Sequence, residues 1–182
     1  MFELALHILD IVQNSIAAQA TRVVIAINID ETTGMVTLRI TDDGCGMDEA
    51  TQARVMSPFG TSRTTRKVGL GIPMLAECAG GTGGTLTLQS APGQGTVLTA
   101  TFGLDHIDRP PMGDLAETFA SLTLCNPDLD FALELSKTGH EDERIDTREL
   151  RQALGDDVPL NTPEVVAWIR ESVSEASAPW LV

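Results

Sequence analysis

The chain has 182 residues, 42% of them hydrophobic, with 12 Lys and Arg against 26 Asp and Glu for a net charge of −14. That length suits one domain and a little over, or two small ones, and the apolar content is enough for a real core, which excludes wholesale disorder. So acidic a chain repels phosphate backbones and anionic membranes, so neither nucleic acid nor a membrane surface is an expected partner.

In chain order, residues 3–18 place Leu4, Ile8, Leu9, Val12 and Ile16 at helical spacing. Val23–Ile29 reads as a β-branched strand, and a turn at Thr33-Gly34 leads into a second strand, Met35–Thr41. Asp48–Met56 predicts a short helix and Ile72–Cys78 another, which Gly80-Gly81 is expected to stop. Thr85–Ser90 and Thr96–Phe102 alternate as a hairpin about Pro92-Gly93-Gln94-Gly95. Helices inserted between strand pairs make an α/β layer and not a bundle.

The composition changes after Gly103. Residues 1–103 hold 13 of the 16 glycines and a net charge of −3, whereas residues 104–182 carry −11. Pro110-Pro111 marks the seam, since neither residue continues a strand or helix. Beyond it, Asp114–Leu122 predicts a helix and Asp130–Ser136 a strand. Asp146-Thr147 caps a helix to Leu154, and Thr162-Pro163 opens one through Val173. The expectation is a domain at 1–103 and a small acidic α+β unit at 104–182. No apolar run is long enough to span a bilayer, and the N-terminus, with Glu3 and Asp10, lacks the basic start of a secretory leader. Cys45, Cys78 and Cys125, with no CxxC, argue against a disulfide framework or zinc site and for a reducing cytoplasm.

Three segments carry chemistry. On the first helix His7, Asp10 and Asn14 fall at i, i+3 and i+7, one narrow stripe. An Asn carboxamide and an Asp carboxylate one turn apart can hold a divalent ion and a water, although a stripe of this kind is also what a solvent-facing helix shows. Asp42-Asp43-Gly44-Cys45-Gly46-Met47 follows the second strand directly. A carboxylate there can accept from an exocyclic amine, with glycines letting the backbone approach a flat ligand; a tight Asp-Gly turn is the plain alternative. Lastly, Pro58–Gly71 concentrates Arg63, Arg66 and Lys67 with four hydroxyls ahead of Gly69-Leu70-Gly71, which feeds a helix N-terminus. Cations and helix N–H groups together suit phosphates. The segment is neither a Walker A loop nor a GxGxxG fingerprint.

In this order the motifs resemble the GHKL superfamily: type II topoisomerase ATPase subunits, heat-shock chaperones, mismatch-repair ATPases and sensor histidine kinases. Asp10–Ala18 is similar to the N-box, Asp42-x-Gly44-x-Gly46 to the first glycine box, Gly69-Leu70-Gly71 to the second, and Gly95-Thr96 to the closing element. The resemblance covers residues 3–103 and implies an α+β fold, a two-layer sandwich whose mixed sheet has helices on one face. It implies ATP with Mg2+ as ligands. Asn14 would hold the metal and Asp42 the adenine amine, with Ala18, Gly44, Gly46 and Met47 around the base. Gly69, Leu70 and Gly71 would present backbone to phosphates, Thr96 would lie near the adenine, and residues 59–68, with Lys67 as a phosphate contact, would form a mobile lid.

The hydrolytic branches of that superfamily place Glu four residues before the Asn, where this chain has Asp10. The histidine-kinase branch carries a phosphoacceptor hairpin ahead of the motif, for which these residues leave no room, and His7 lies inside the N-box helix. Three readings follow: a slow ATPase with Asp10 as general base, a protein kinase acting in trans as the anti-sigma serine kinases do, or an ATP-responsive module without turnover. The acidic unit at 104–182 is the expected docking surface for a protein partner, and a homodimer is compatible with each reading.

Overall fold

The computed structural model describes residues 3–57, 70–155 and 158–180. The strands are β1 (Arg22–Asp30), β2 (Met35–Asp42), β3 (Leu86–Ser90), β4 (Thr96–Gly103), β5 (Asp130–Lys137) and β6 (Glu143–Asp146). They form one six-stranded sheet in the order β3-β4-β2-β1-β5-β6. Every pairing is antiparallel except β1 with β5, so the sheet is mixed, as expected. The helices are α1 (Leu4–Ala17), α2 (Glu49–Met56), α3 (Gly71–Gly81), α4 (Leu115–Cys125), α5 (Thr147–Leu154) and α6 (Pro163–Ser177).

Period-two alternation sets the inner face. Val23, Ile25, Ile27 and Ile29 of β1, Val36, Leu38 and Ile40 of β2, and Leu98, Ala100 and Phe102 of β4 are all buried. Against them α1 places Leu4, Ile8, Ile11 and Val12. Each such side chain contributes about 1.5–3 kcal/mol on burial. Across β5, Phe131 meets Phe119 of α4 edge to face, with ring centroids 6.2 Å apart. The opposite face carries Thr37, Arg39, Asn28 and Ser136 and is partly open to solvent.

The proline seam is docked rather than loose. Glu3 gives α1 no side-chain cap, and instead the Leu4 and Ala5 N–H groups donate to the carbonyls of Pro111 and Met112 at 2.9 and 3.0 Å. Two otherwise orphaned helix donors are thereby satisfied. After the seam, α4 crosses over and β5 pairs parallel with β1, Arg22 opposite Asp130 through Ile29 opposite Lys137. The compositional change at Gly103 therefore falls within one continuous sheet. Two details differ from the sequence expectation. α3 runs through Gly80 and Gly81 to end at Thr82, because Leu75 and Ala79, both fully buried, hold its last turns against the core. β6 was not foreseen: Glu143, Arg144 and Asp146 leave it no apolar alternation to read. Among the described residues no helix is long and apolar enough to cross a membrane.

Candidate functional site

Asp42 closes β2, opposite Val23 of β1 on one side and Thr96 of β4 on the other. Its Oδ2 accepts from the Ser15 hydroxyl at 2.7 Å and its Oδ1 from the Gly44 N–H at 2.9 Å. Ser15 is 2% exposed on the inner side of α1, so helix and strand end are bonded directly. A carboxylate offers about four lone-pair sites, and these two bonds leave one on each oxygen for an incoming donor. Around it, Ser90 Oγ donates to the Gly95 carbonyl at 2.7 Å and accepts from the Met47 N–H at 2.8 Å. Its proton is committed to Gly95, so the 3.0 Å contact with Thr96 is donated by Thr96 Oγ1. Gln52 of α2 donates to the carbonyls of Met47 and Ser90, tying this cluster to a second helix.

The glycines of the motif are required by protein packing before any ligand is considered. Gly46 has φ +67°, and a Cβ on it would lie 1.9 Å from the Ala91 carbonyl oxygen. Gly95, at φ +75°, would place one 2.0 Å from the Asp42 carbonyl oxygen. Both are in the left-handed region and both face backbone that cannot yield. A Cβ on Gly44 would come 2.9 Å from the Ala18 side chain, while the Cys45 N–H donates to the Ala18 carbonyl at 2.9 Å. Ala18, Asp42, Gly44, Gly46, Met47 and Thr96 are thus brought together as one closed set.

The neighbouring Asp43 turns the other way. Its carboxylate accepts from the Thr21 N–H, the Thr21 hydroxyl and the Arg22 N–H at 2.7, 2.6 and 2.9 Å. Slight burial raises its pKa, and these donors outweigh that and hold it below the usual carboxylate range. Arg22 then reaches Asp146 at 2.6 Å, and Asp146 also accepts from Arg144 and from the Arg148 N–H that starts α5. Burial pulls the Asp146 carboxyl upward, but Arg22, the Arg148 amide and Arg144 together bring it down to about 2. Asp130 forms ion pairs with Arg148 at 2.6 Å and Arg151 at 3.1 Å. Main-chain hydrogen bonds to Asp43 and the Arg22–Asp146 ion pair thus tie the loop after β2 to the far end of the sheet.

On α1, Asp10 and Asn14 are exposed, while His7 is 3% exposed. Burial lowers the His7 pKa against the opposing pull of Asp10, and its Nε2 lies 3.9 Å from Cys78 Sγ. Asp10 faces the start of α3: a Cβ on Gly71 would come 3.0 Å from its Cβ and 3.4 Å from its Oδ2. Leu70, the N-cap of α3, is exposed at that terminus. Asp10, Leu70 and Gly71 thus border one helix N-terminus, a place suited to anions, while Asn14 lies one turn further along α1. Lys67, Gly69 and the lid expected at 59–68 lie outside the described residues. No group of three or more His, Cys, Asp or Glu among the described residues could hold a metal. The exposed Asn14 carboxamide is a donor that fits Mg2+ shared with substrate phosphates and waters. A separate concavity of about 350 Å3 lies on the open sheet face, lined by Asn28, Thr37, Arg39, Glu134 and Arg144 among others, and includes none of the motif residues.

The sequence reading did not single out Ser15, Ser90 or Gln52. Ser15 had a readable cue, a hydroxyl on the apolar side of α1; Ser90 and Gln52 act through tertiary contacts that no spacing announces.

Residues 3–106 match the model of the histidine kinase-, DNA gyrase B-, and HSP90-like ATPase family. The chain belongs to that family. This places it in the GHKL ATPase and kinase superfamily, with the ATP-binding fold that its motifs implied. A "Putative sensor protein" of Shewanella frigidimarina (strain NCIMB 400) is 33% identical over 103 residues, 56% of this chain and 16% of the relative. A solved structure, the N-terminal domain of a DNA repair protein, aligns over 96% of this chain and 56% of its own, with a TM-score of 0.51 and 13% identity. That likeness is one of fold and takes in the β5–β6 region as well as the motif-bearing strands. The chain spans about half of the one relative's length and a small fraction of the other's.

Proposed function

We propose that this GHKL domain binds MgATP through Asp42 and Asn14 and hydrolyses it slowly with Asp10 as general base. The observation that carries the reading is the Asp42 carboxylate, held at fixed orientation by Ser15 and Gly44 with one acceptor site left on each oxygen. The adenine amine is a donor that such a site accepts, whereas guanine would offer it a carbonyl oxygen. Thr96, Met47 and Ala18 then border the base, and Gly69, Leu70 and Gly71 at the head of α3 meet the phosphates through backbone N–H groups. Residues 59–68 close over them as a lid, Lys67 contacting phosphate. Asn14 would hold magnesium through Oδ1; bound there, the ion neutralises charge on the phosphate oxygens.

In turnover, Asp10 accepts a proton from a water whose oxygen forms the new bond to the γ-phosphorus, while the bond from that phosphorus to the bridging oxygen of ADP breaks. Asp10 lies one turn before Asn14, on the side of α1 that faces Gly71, which points its carboxylate at the phosphate end. Aspartate is one methylene shorter than glutamate, and misplacement of a catalytic group by about 1 Å costs on the order of a hundredfold. Slow turnover follows. The relative named as a sensor favours a second reading, phosphoryl transfer to a protein in trans, with the acidic residues 104–182 as docking surface. γ-Labelled MgATP, incubated with the protein alone and with cell extract, separates them: free phosphate marks the ATPase, a labelled protein band the kinase, neither a binding module. Asp10→Asn is expected to keep MgATP affinity and lose most turnover; hydrolysis at the parent rate would remove Asp10 as the base.

A further inference from the structure

Ser90 closes β3, Thr96 opens β4 and Asp42 closes β2, and the strand pairing sets the three opposite one another in one row. The row lies on the inner face, in step with buried Leu98 and Ile40. Register partners on one face hold their Cβ atoms about 4.5–5.5 Å apart. A hydroxyl carries one proton and two lone pairs, so what it offers a ligand depends on where that proton goes. Ser15 spends its proton on Asp42 Oδ2, which only accepts. Ser90 spends its own on the Gly95 carbonyl at 2.7 Å. Its two lone pairs take the Met47 N–H at 2.8 Å and the Thr96 hydroxyl at 3.0 Å. Ser90 Oγ is then saturated, and Thr96 has no proton left to give.

We propose that Ser90 sets the base specificity of this site. By taking the Thr96 proton it leaves Asp42 and Thr96 as acceptors only, a pair that reads an exocyclic amine and refuses a keto oxygen. The inference deepens the MgATP reading and rests on it. The adenine amine brings two protons, one for an Asp42 oxygen and one for Thr96 Oγ1. A keto oxygen in its place brings none, and both protein acceptors lose the water that had served them. Ser90 touches no ligand; it is a positioning residue that acts through Thr96.

Asp42 without this arrangement would discriminate less. A Thr96 hydroxyl released from Ser90 turns, and it donates to a keto oxygen as readily as it accepts from an amine. The direction of the proton chain is fixed at its far end by main chain. A peptide carbonyl has no proton to offer, so Ser90 donates to Gly95 and Thr96 donates to Ser90. Gly95, at φ +75°, crosses the end of β2 so closely that a Cβ would lie 2.0 Å from the Asp42 carbonyl oxygen, which leaves its peptide little room to move. Gln52 holds the Ser90 carbonyl at 2.8 Å and steadies the serine itself. Selectivity of this kind comes from the groups the wrong ligand leaves unpaired.

Calorimetric titration of MgATP and magnesium inosine triphosphate into the full chain, Ser90→Ala, Thr96→Val and the double variant tests it. Inosine carries a keto oxygen where adenine has its amine and has no amine of its own, so the two ligands differ at the group being read. Ser90→Ala is expected to narrow the preference for ATP by about threefold to tenfold, the worth of one hydrogen bond. Thr96→Val leaves the Ser90 bonds to Gly95 and Met47 in place and should weaken ATP but not the inosine nucleotide. In the Thr96→Val background Ser90→Ala should leave the ratio unchanged, because no hydroxyl remains to turn. A merely structural serine would weaken both nucleotides alike and hold the parent ratio in Ser90→Ala, which would overturn this inference alone. A ratio that narrows equally with and without the Thr96 hydroxyl would also overturn it. A parent with no preference for ATP would instead overturn the nucleotide reading and this inference with it.

Discussion

The strands that carry the motifs and the strands added beyond Gly103 share one sheet but are locked by different chemistry. Around Asp42 the locking is steric and neutral: Gly46 and Gly95 let backbone cross backbone, and Ser15 and Ser90 settle the hydrogen bonds. Around β5, β6 and α5 it is ionic, with Asp146 and Asp130 each gathering two arginines. Among the described residues the first lock contains no ion pair, so salt and pH act on it weakly. An ionic lock tolerates sequence drift but depends on pH. The contrast makes each half breakable in its own way.

The largest effect is expected at Gly46. Gly46→Ala imposes a left-handed conformation costing about 1–2 kcal/mol, and its methyl would overlap the Ala91 carbonyl. A total loss above about 3 kcal/mol, or roughly 6–12 °C in Tm for a chain of this size, would be read by thermal melting. A melt unchanged from the parent would show the neutral lock to be dispensable.

Asp146→Asn attacks the ionic half. It strips Arg22 and Arg144 of their shared carboxylate and should cost about 2 kcal/mol at neutral pH. Because the folded Asp146 titrates at about 2, below its unfolded value, its contribution is fully present above about pH 4 and is lost as the pH falls toward 2. Urea melts across that window should show the parent losing stability toward acid more steeply than the variant. Parallel curves would mean the ion pairs of Asp146 stabilise little.

The smallest effect belongs to His7, buried where the two locks do not reach. Burial lowers its pKa, so the folded chain holds fewer protons than the unfolded one as the imidazole titrates. Stability is therefore full above about pH 6.5 and declines as the pH drops below it. His7→Gln should flatten that limb by less than about 1 kcal/mol, seen in chemical melts between about pH 7 and 5. A parent with no decline there would contradict a buried neutral imidazole.

How much could be read from sequence differs between the halves for the same reason the locks differ. Glycines at Gly44, Gly46 and Gly95 and a carboxylate at Asp42 must occupy fixed local offsets, so they print a motif, and β1, β2 and α1 print strict periodicities. In the added half, Asp146 was readable as a helix cap, but its bond to Arg22 spans 124 residues and has no local trace. The parallel docking of β5 on β1 is a tertiary choice of the same kind, and the charged β6 hides its strand character. Ser90 and Gln52 were missed because their roles exist only once the β3–β4 hairpin meets α2.

The proposed role of Asp42 as reader of the base is tested most directly by calorimetric titration of MgATP and MgGTP into the parent and Asp42→Ala. Mispairing acceptor with acceptor costs about 1–3 kcal/mol or more, so ATP is expected to bind roughly tenfold to a hundredfold tighter than GTP, with Asp42→Ala losing that preference and most ATP affinity. Equal affinities for the two nucleotides, or full ATP affinity in the variant, would contradict it.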